Sequence, residues 1–288
     1  MSYRKLLVPL SGAGRDDQVL TAAFDIAKPF GAHVMGVYVR PDPSEVLPYL
    51  GEGISAGVIQ EIMEAARSSA SKAGAAARSA LDHHAKAQGV PTLENASGGT
   101  GFSASFCLRD GPADVVIPEE ARLSDLVIFG FSRDAKYAGH RETIESTLLN
   151  GRSPILLVPD QAKVAISAKV AIGWDGGATA ARAVAAAIPM LKRASSIEIL
   201  NISPGTTETM EMDRLRDYLR LYGLSATEHG IKPGGQSTGA VLLDAAVRAG
   251  AGMLVIGGYG HSRLRELVLG GVTRHVLAES TIPIFMAH

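Results

Sequence analysis

The sequence predicts an α/β fold of two tandem open-sheet domains, each a mostly parallel five-stranded sheet with helices on both faces. Three observations carry this. The chain has 288 residues, and at roughly 100–200 residues per domain that is the length of two domains. Short continuous apolar runs alternate with alanine-rich helical stretches, the pattern of strands buried on both faces. The succession of runs occurs twice at a period of about 160 residues, too long for a solenoid and right for a duplicated domain.

Taken in order, residues 4–12 read RKLLVPLSG and residues 168–176 read AKVAIGWDG, each an apolar strand ending in a small, glycine-bearing turn. An alanine-rich helix follows each, at 16–29 and 178–194. HVMGVYV at 33–39 and IEILNIS at 197–203 read as the second strands. DLVIFG at 125–130 and MLVIGG at 253–258 form the later pair. Each half closes on proline plus a strand, Pro154 with ILLVP and Pro283 with IFMAH. Further helices are expected at 58–87 and 209–222, and at Gly111-Pro112-Ala113 one should begin. The division falls near Pro159-Asp160-Gln161, giving domains 1–160 and 161–288.

Composition narrows the function classes. With 46% hydrophobic and 20% charged residues the chain can bury cores and is not disordered. A net charge of -1 offers no electrostatic case for nucleic acid or an anionic membrane. The single cysteine, Cys107, excludes an internal disulfide framework and fits a reducing cytosol. It lies in an apparent strand, SASFCL, where burial as a small hydrophobe is favoured over reactivity. Neither a signal-peptide pattern nor an apolar run near the ~20 residues of a membrane span is read, so a cytoplasmic location is expected.

In an open parallel sheet, ligands bind outside the carboxyl ends of the strands, where the strand order reverses. The residues just after each run are therefore the candidates. In the second half these are Asp175-Gly176-Gly177, Ile202-Ser203-Pro204 and Gly257-Gly258-Tyr259-Gly260, followed by Gly270-Gly271-Val272-Thr273 at a helix start. Glycines let backbone N–H groups approach phosphate oxygens, and a helix N-terminus favours negative charge. The segment matches neither the P-loop nor the dinucleotide fingerprint.

It does resemble the universal stress protein signature G-x2-G-x9-G-[ST], with Gly257, Gly260 and Gly270 at the required spacing and Gly271 at the final small residue. Asp175 at the end of the half's first strand strengthens the match. The resemblance covers nearly the whole chain and implies an adenine nucleotide alpha hydrolase-like fold. It further implies ATP, with or without Mg2+, as ligand, with Asp175 and Ile202 on the adenosine side. Gly257, Gly260, Gly270, Gly271 and Val272 would then take the phosphates. It also implies pairing of such domains through their last strands, here between the halves of one chain, and a homodimer is a further option. The implied role is regulatory, toward an unidentified protein partner, with at most slow ATP hydrolysis.

Two departures bear on that reading. Gly271 lacks the hydroxyl of the signature's Ser or Thr, and the family's acidic residue before the fourth strand is Gly252. The first half departs further. Ser11 replaces the aspartate, Arg133 the second glycine, and Glu142 and Thr143 the last pair, so this half is expected not to bind ATP.

Each sharp reading has a plainer rival. The glycines of 257–271 also suit tight βα turns, and Asp175 an N-cap. Trp174 suits a nucleoside wall or the core. Arg263, Arg265 and Arg274 suit phosphates or a solvated helix face. His83-His84 reads as a solvated helix end, since adjacent helical residues point about 100° apart. Ser11-Gly12-Ala13-Gly14-Arg15-Asp16 is faintly similar to the loop of PP-loop pyrophosphatases, with the second glycine and the terminal serine wrong. Two alternatives to ATP binding stay open: a nucleotide-free interaction module, and an enzyme for a small anionic or adenylated substrate using His261 or His275. The role of residues 41–57 is not legible.

Overall fold

The computed structural model describes residues 2–44, 55–94, 101–131, 138–160, 162, 164–202, 209–259 and 271–288. Up to residue 160 the chain forms β1 (Lys5–Leu10), α1 (Asp16–Ala27), β2 (His33–Arg40), α2 (Ala56–Ala87), β3 (Thr92–Leu93), β4 (Ser103–Asp110), α3 (Ala113–Ala121), β5 (Leu126–Phe131), α4 (Ala138–Ser146) and β6 (Ile155–Pro159). Beyond it come β7 (Val170–Gly173), α5 (Ala178–Leu191), β8 (Ile197–Ile202), α6 (Thr209–Arg220), β9 (Thr227–Ile231), α7 (Thr238–Arg248), β10 (Met253–Gly257), α8 (Gly271–Glu279) and β11 (Ile284–Ala287).

The eleven strands among the described residues share one sheet, in the order β3-β4-β2-β1-β5-β6-β11-β10-β7-β8-β9. Every pairing is parallel except β6 with β11, where Phe285 faces Leu156. The closing strands of the two halves thus join within one chain, as the resemblance implied. On either side of that seam the order is the same: β4-β2-β1-β5-β6 mirrors β9-β8-β7-β10-β11. The order reverses between β1 and β5, and again between β7 and β10. Those two points are where an open sheet leaves a crevice.

Continuous apolar strands demand cover on both faces, and two cores provide it. One joins Phe24 of α1, Leu81 of α2, Val184 of α5 and Leu215 of α6 to sheet residues such as Val8 and Phe285. The other joins Ile117 of α3, Ile144 of α4, Leu242 of α7 and Val276 of α8 to Val127 and Leu254. Helix starts carry their own signals. Ser55 accepts a hydrogen bond from the Val58 amide to open α2, and Ser237 does the same for Ala240 in α7. Beyond the sheet, the halves are tied by the Tyr3 hydroxyl, which donates to the Ala186 carbonyl at 2.8 Å. Arg193 adds a hydrogen bond to the Pro29 carbonyl at 2.7 Å and lies over the Phe30 ring at 4.9 Å.

Several expectations change in detail. The first half has six strands rather than five, because two-residue β3 pairs with β4 at the outer edge. Cys107 is half-buried rather than core, since β4 lies next to that edge; burial pushes its thiol up. His84 is not a solvated helix end. It packs on Phe24 and meets Asp17 at 3.2 Å, while His83 is exposed. α5 stops at Leu191. Strand β9 and helices α4 and α7 had no clear signal. β9, reading TEHGI, is polar because it is an edge strand, half open to water.

Glu198 of β8 has little exposure, 10% for its side chain, and is held by His229 Nε2 at 2.8 Å and Lys169 Nζ at 3.4 Å. Burial alone would raise its carboxyl pKa, but the hydrogen bonds from His229 and Lys169 outweigh that and hold it below the ordinary 4.5. A folded value below the unfolded one gives stability that is complete above about pH 4.5 and is lost as pH falls through the folded value. Thermal melts from pH 6 to pH 3 should therefore show a steeper acid loss for the wild type than for Glu198→Gln. Parallel curves would exclude this contribution.

Candidate functional site

The second switch point brings together three of the sequence-predicted residues. β7 is flanked by β8 and β10, with Gly173 facing Leu200 and Ile172 facing Val255. Asp175, Ile202 and Gly257 therefore stand at or just past three adjacent strand ends. Trp174 turns into the core beside them, and its carbonyl accepts a hydrogen bond from Asn201 Nδ2 at 3.0 Å. This settles Trp174 as core. Asp175 emerges exposed, and its Oδ1 accepts from the Gly177 amide at 2.8 Å, closing the turn into α5. Gly176 sits in that turn with φ +73°, a conformation open to glycine at little cost.

Gly257 has a packing reason of its own. A Cβ there would lie 2.5 Å from Thr179 Oγ1 and 2.6 Å from the Ala180 amide nitrogen. Only glycine lets β10 meet the first turn of α5. Its neighbour Gly258 is pinned through its amide to the Ala287 carbonyl at 2.8 Å, and its carbonyl accepts from His288 Nδ1 at 3.0 Å. Tyr259 then takes φ +56°, unusual for a residue with a side chain. Its hydroxyl is buried with no hydrogen-bond partner among the described residues, burial pushes its pKa up, and its ring packs on the core that holds Ile144 of α4. A residue of the glycine motif thus reaches into the other half of the chain.

Gly271 and Val272 open α8. Gly271 is exposed, and a Cβ added to it meets no heavy atom within 4 Å. Val272 backs onto α7: a Cβ on Gly239 would lie 3.1 Å from the Val272 Cα and 2.9 Å from the His275 Cβ. Gly239 therefore seats the start of α8 against α7. Gly260, Gly270, His261, Arg263 and Arg265 fall outside the described residues.

The equivalent corner of the first half is closed by its own side chain. Asp16, buried at the start of α1, accepts from the Gly12 amide at 2.7 Å, the Ser11 amide at 3.0 Å and the Ser11 hydroxyl at 2.8 Å. The cavity there is lined by Ser11, Asp16, Gly130 and Asp160 among others, with room for about one water molecule. Arg15 also lines it, but two carboxylates, backbone donors already taken by Asp16 and room for only a water make this a poor anion site. Of the last pair in the degenerate motif, Glu142 is exposed and Thr143 buried on α4. Sequence reasoning missed Thr179 and Gly239, and it named Asp16 and Tyr259 without the roles they take here. For Asp16 a signal existed, an acidic residue in the first turn of the helix after Ser11-Gly12.

Gly252 also finds its explanation. In the first half, Asp125 Oδ2 accepts from the Arg4 and Lys5 amides at 2.6 and 2.9 Å, fixing the start of β1. At the same place in the second half, a Cβ on Gly252 would lie 2.6 Å from the Ala168 Cβ, so the strand start is held by close backbone approach. The acidic position serves strand entry.

A doubly wound parallel sheet with helices on both faces and a crevice at its strand reversal defines the class of protein. Residues 168–288 match the model of the universal stress protein family. Along its whole length the chain is similar to a universal stress protein from Archaeoglobus fulgidus DSM 4304, at 16% identity and TM-score 0.69, covering 99% of this chain and 96% of that one. The cytoplasmic domain of a prokaryotic cation chloride cotransporter is similar at 12% identity and TM-score 0.52, with 99% and 96% covered. Both likenesses concern the fold. No curated protein is matched by the chain. Among the described residues, no helix is long and apolar enough to cross a membrane, and no group of three or more His, Cys, Asp or Glu is placed to hold a metal.

Proposed function

We propose that the chain is a cytoplasmic two-domain protein, divided as 1–160 and 161–288, that binds ATP or another adenine nucleotide in its second domain for regulation. The observation that carries this reading is the convergence of Asp175, Ile202 and Gly257 on three adjacent strand ends, beside the N-terminus of α5. An exposed carboxylate suits ribose hydroxyls, and Ile202 offers backbone groups and an apolar edge to the base. Phosphates suit the start of α8, where Gly271 and Val272 present backbone N–H groups at the positive end of a helix dipole. Gly260 and Gly270 would complete that cradle. Magnesium would enter with the triphosphate, held by its oxygens.

The first domain is proposed not to bind nucleotide, because Asp16 already takes the donors of its β1–α1 turn. Its role is to pair with the second domain, and Tyr259 is a route by which nucleotide would shift a surface seen by a partner protein. The test is mass spectrometry of small molecules released from fresh protein, with calorimetric titration of Mg-ATP. About one nucleotide per chain is the expected result. Two per chain would overturn the claim about the first domain.

A second reading has a specific observation in its favour. The contact of Gly257 with Thr179 and Ala180 accounts for that glycine with no ligand at all. A nucleotide-free interaction module would keep Gly257 for that reason alone. Protein with no released nucleotide and no heat at millimolar ATP would establish it.

A further inference from the structure

Outward from the switch point along the strand ends, where Ile231 of β9 lies beside Ile202, β9 and α7 leave an open groove of about 620 Å³, within the usual size of small-molecule sites. Its existence follows from the sheet's edge. α7 packs on β8, while β9 beyond it is the outermost strand and is half open to water. The floor is apolar, made by Leu200 and Ile231 of the sheet with Val241 and Ala245 of α7. The rim is polar, with His229, Lys232, Gln236, Asp244 and Arg248.

His229 is the group that makes this more than a surface furrow. Its Nε2 lies 2.8 Å from Glu198 Oε2, and Glu198 is in turn held by Lys169 at 3.4 Å. A carboxylate kept ionised by two partners fixes both the orientation of the ring and the proton on Nε2. The second nitrogen, Nδ1, has no hydrogen bond among the described residues, and the ring borders the groove. Asp244 of the rim is neutralised by Arg248 at 2.7 Å. Lys232, at the end of β9, is a cation on the same rim, so the lining carries surplus positive charge above an apolar floor.

We propose that this groove is a second ligand site, separate from the switch-point crevice, for a small monocarboxylate with an apolar body. The carboxylate would lie between His229 and Lys232, and its apolar part on Leu200, Ile231, Val241 and Ala245. In its imidazolium form His229 would donate from Nδ1 to the carboxylate while Nε2 stays on Glu198, and Lys232 would add a charge-assisted hydrogen bond. This assignment does not depend on nucleotide binding in the crevice.

The test uses the full-length chain, 15N-labelled, titrated with octanoate, and with octylammonium as the probe of opposite charge. Octanoate is expected to shift amide resonances of residues 227–234 and 238–249, and octylammonium to leave them in place. His229→Gln and Lys232→Gln should each weaken octanoate about tenfold, the loss of one hydrogen bond to a charged group. Ala245→Phe fills the groove without touching a charge, and should abolish the shifts while the rest of the spectrum stays folded. Equal binding of octylammonium, no shifts with millimolar octanoate, or undiminished binding by Ala245→Phe would each overturn the proposal. Glutamine at 229 retains a polar group facing Glu198, so loss of folding is checked independently by its thermal melt.

Discussion

Phe285→Ala is expected to destabilise both halves of the chain by about 3–5 kcal/mol, and to do so in one transition. Phe285 is fully buried and sits on β11, opposite Leu156 across the one antiparallel pairing of the sheet. It belongs to the core that runs from Leu6 and Phe24 in the first half to Val184 and Leu191 in the second. Removing its ring leaves a cavity at the seam that neither half can close alone, because close-packed interiors relax only partly around a lost side chain. Denaturant unfolding followed by Trp174 fluorescence in the second half, and by circular dichroism for the whole chain, reads the effect. Coincident curves at a lower midpoint are the expected outcome. A first-half transition left at the wild-type midpoint would mean that the seam does not couple the halves. Leu123→Ala, at a side chain 83% exposed, is the control and should fall within about 0.5 kcal/mol of wild type.

That seam shows which features a sequence displays. DLVIFG and MLVIGG declare themselves as buried parallel strands because both faces need apolar cover, so each residue carries the signal. β6 and β11 share it, and their proline-led repeat was enough to expect them to close each half. What could not be read was the polar edge. β9 is TEHGI, with Glu228 bound to Arg216 on one face and His229 to Glu198 on the other. Its side chains report partners distant in sequence rather than a period of two. β3 has two residues, too few for any pattern.

The candidate site divides in a similar way. Asp175, Ile202 and Gly257 were legible because each ends an apolar run, and strand ends meet in a parallel sheet. Their local duties were not. That Gly257 makes room for Thr179 depends on contact between elements about 80 residues apart, where loop-closure geometry rather than composition decides; the turn that Asp175 closes on Gly177 is local, and the N-cap reading came near it. Tyr259 is the clearest case. The spacing of G-x2-G treats it as filler, yet it takes a left-handed backbone and packs on the core that holds Ile144 and Leu148 of the other half.

Those double duties decide how the nucleotide proposal must be tested. Gly257→Val cannot separate the readings, since its side chain collides with the first turn of α5 and disrupts the packing whatever the glycine is there for. Asp175→Asn separates the readings. Asparagine's side-chain oxygen still accepts from the Gly177 amide, so the turn survives and the thermal midpoint should stay within about 0.5 kcal/mol of wild type. The negative charge is gone, and a carboxylate bonded to a ribose hydroxyl is worth roughly 1.5–3 kcal/mol. The expected result is ATP affinity about ten- to a hundredfold weaker in a fully stable protein. Gly271→Ser tests the opposite direction. Its Cβ has open space and serine is at ease in the first turn of a helix, so the hydroxyl can reach a phosphate at no steric cost. Affinity should rise several-fold, up to about tenfold for one added hydrogen bond to a charged group. If Asp175→Asn leaves a measurable affinity unchanged, the aspartate serves only its turn and the site assignment fails; if wild type and Gly271→Ser alike give no heat at millimolar ATP, the second domain is an interaction module.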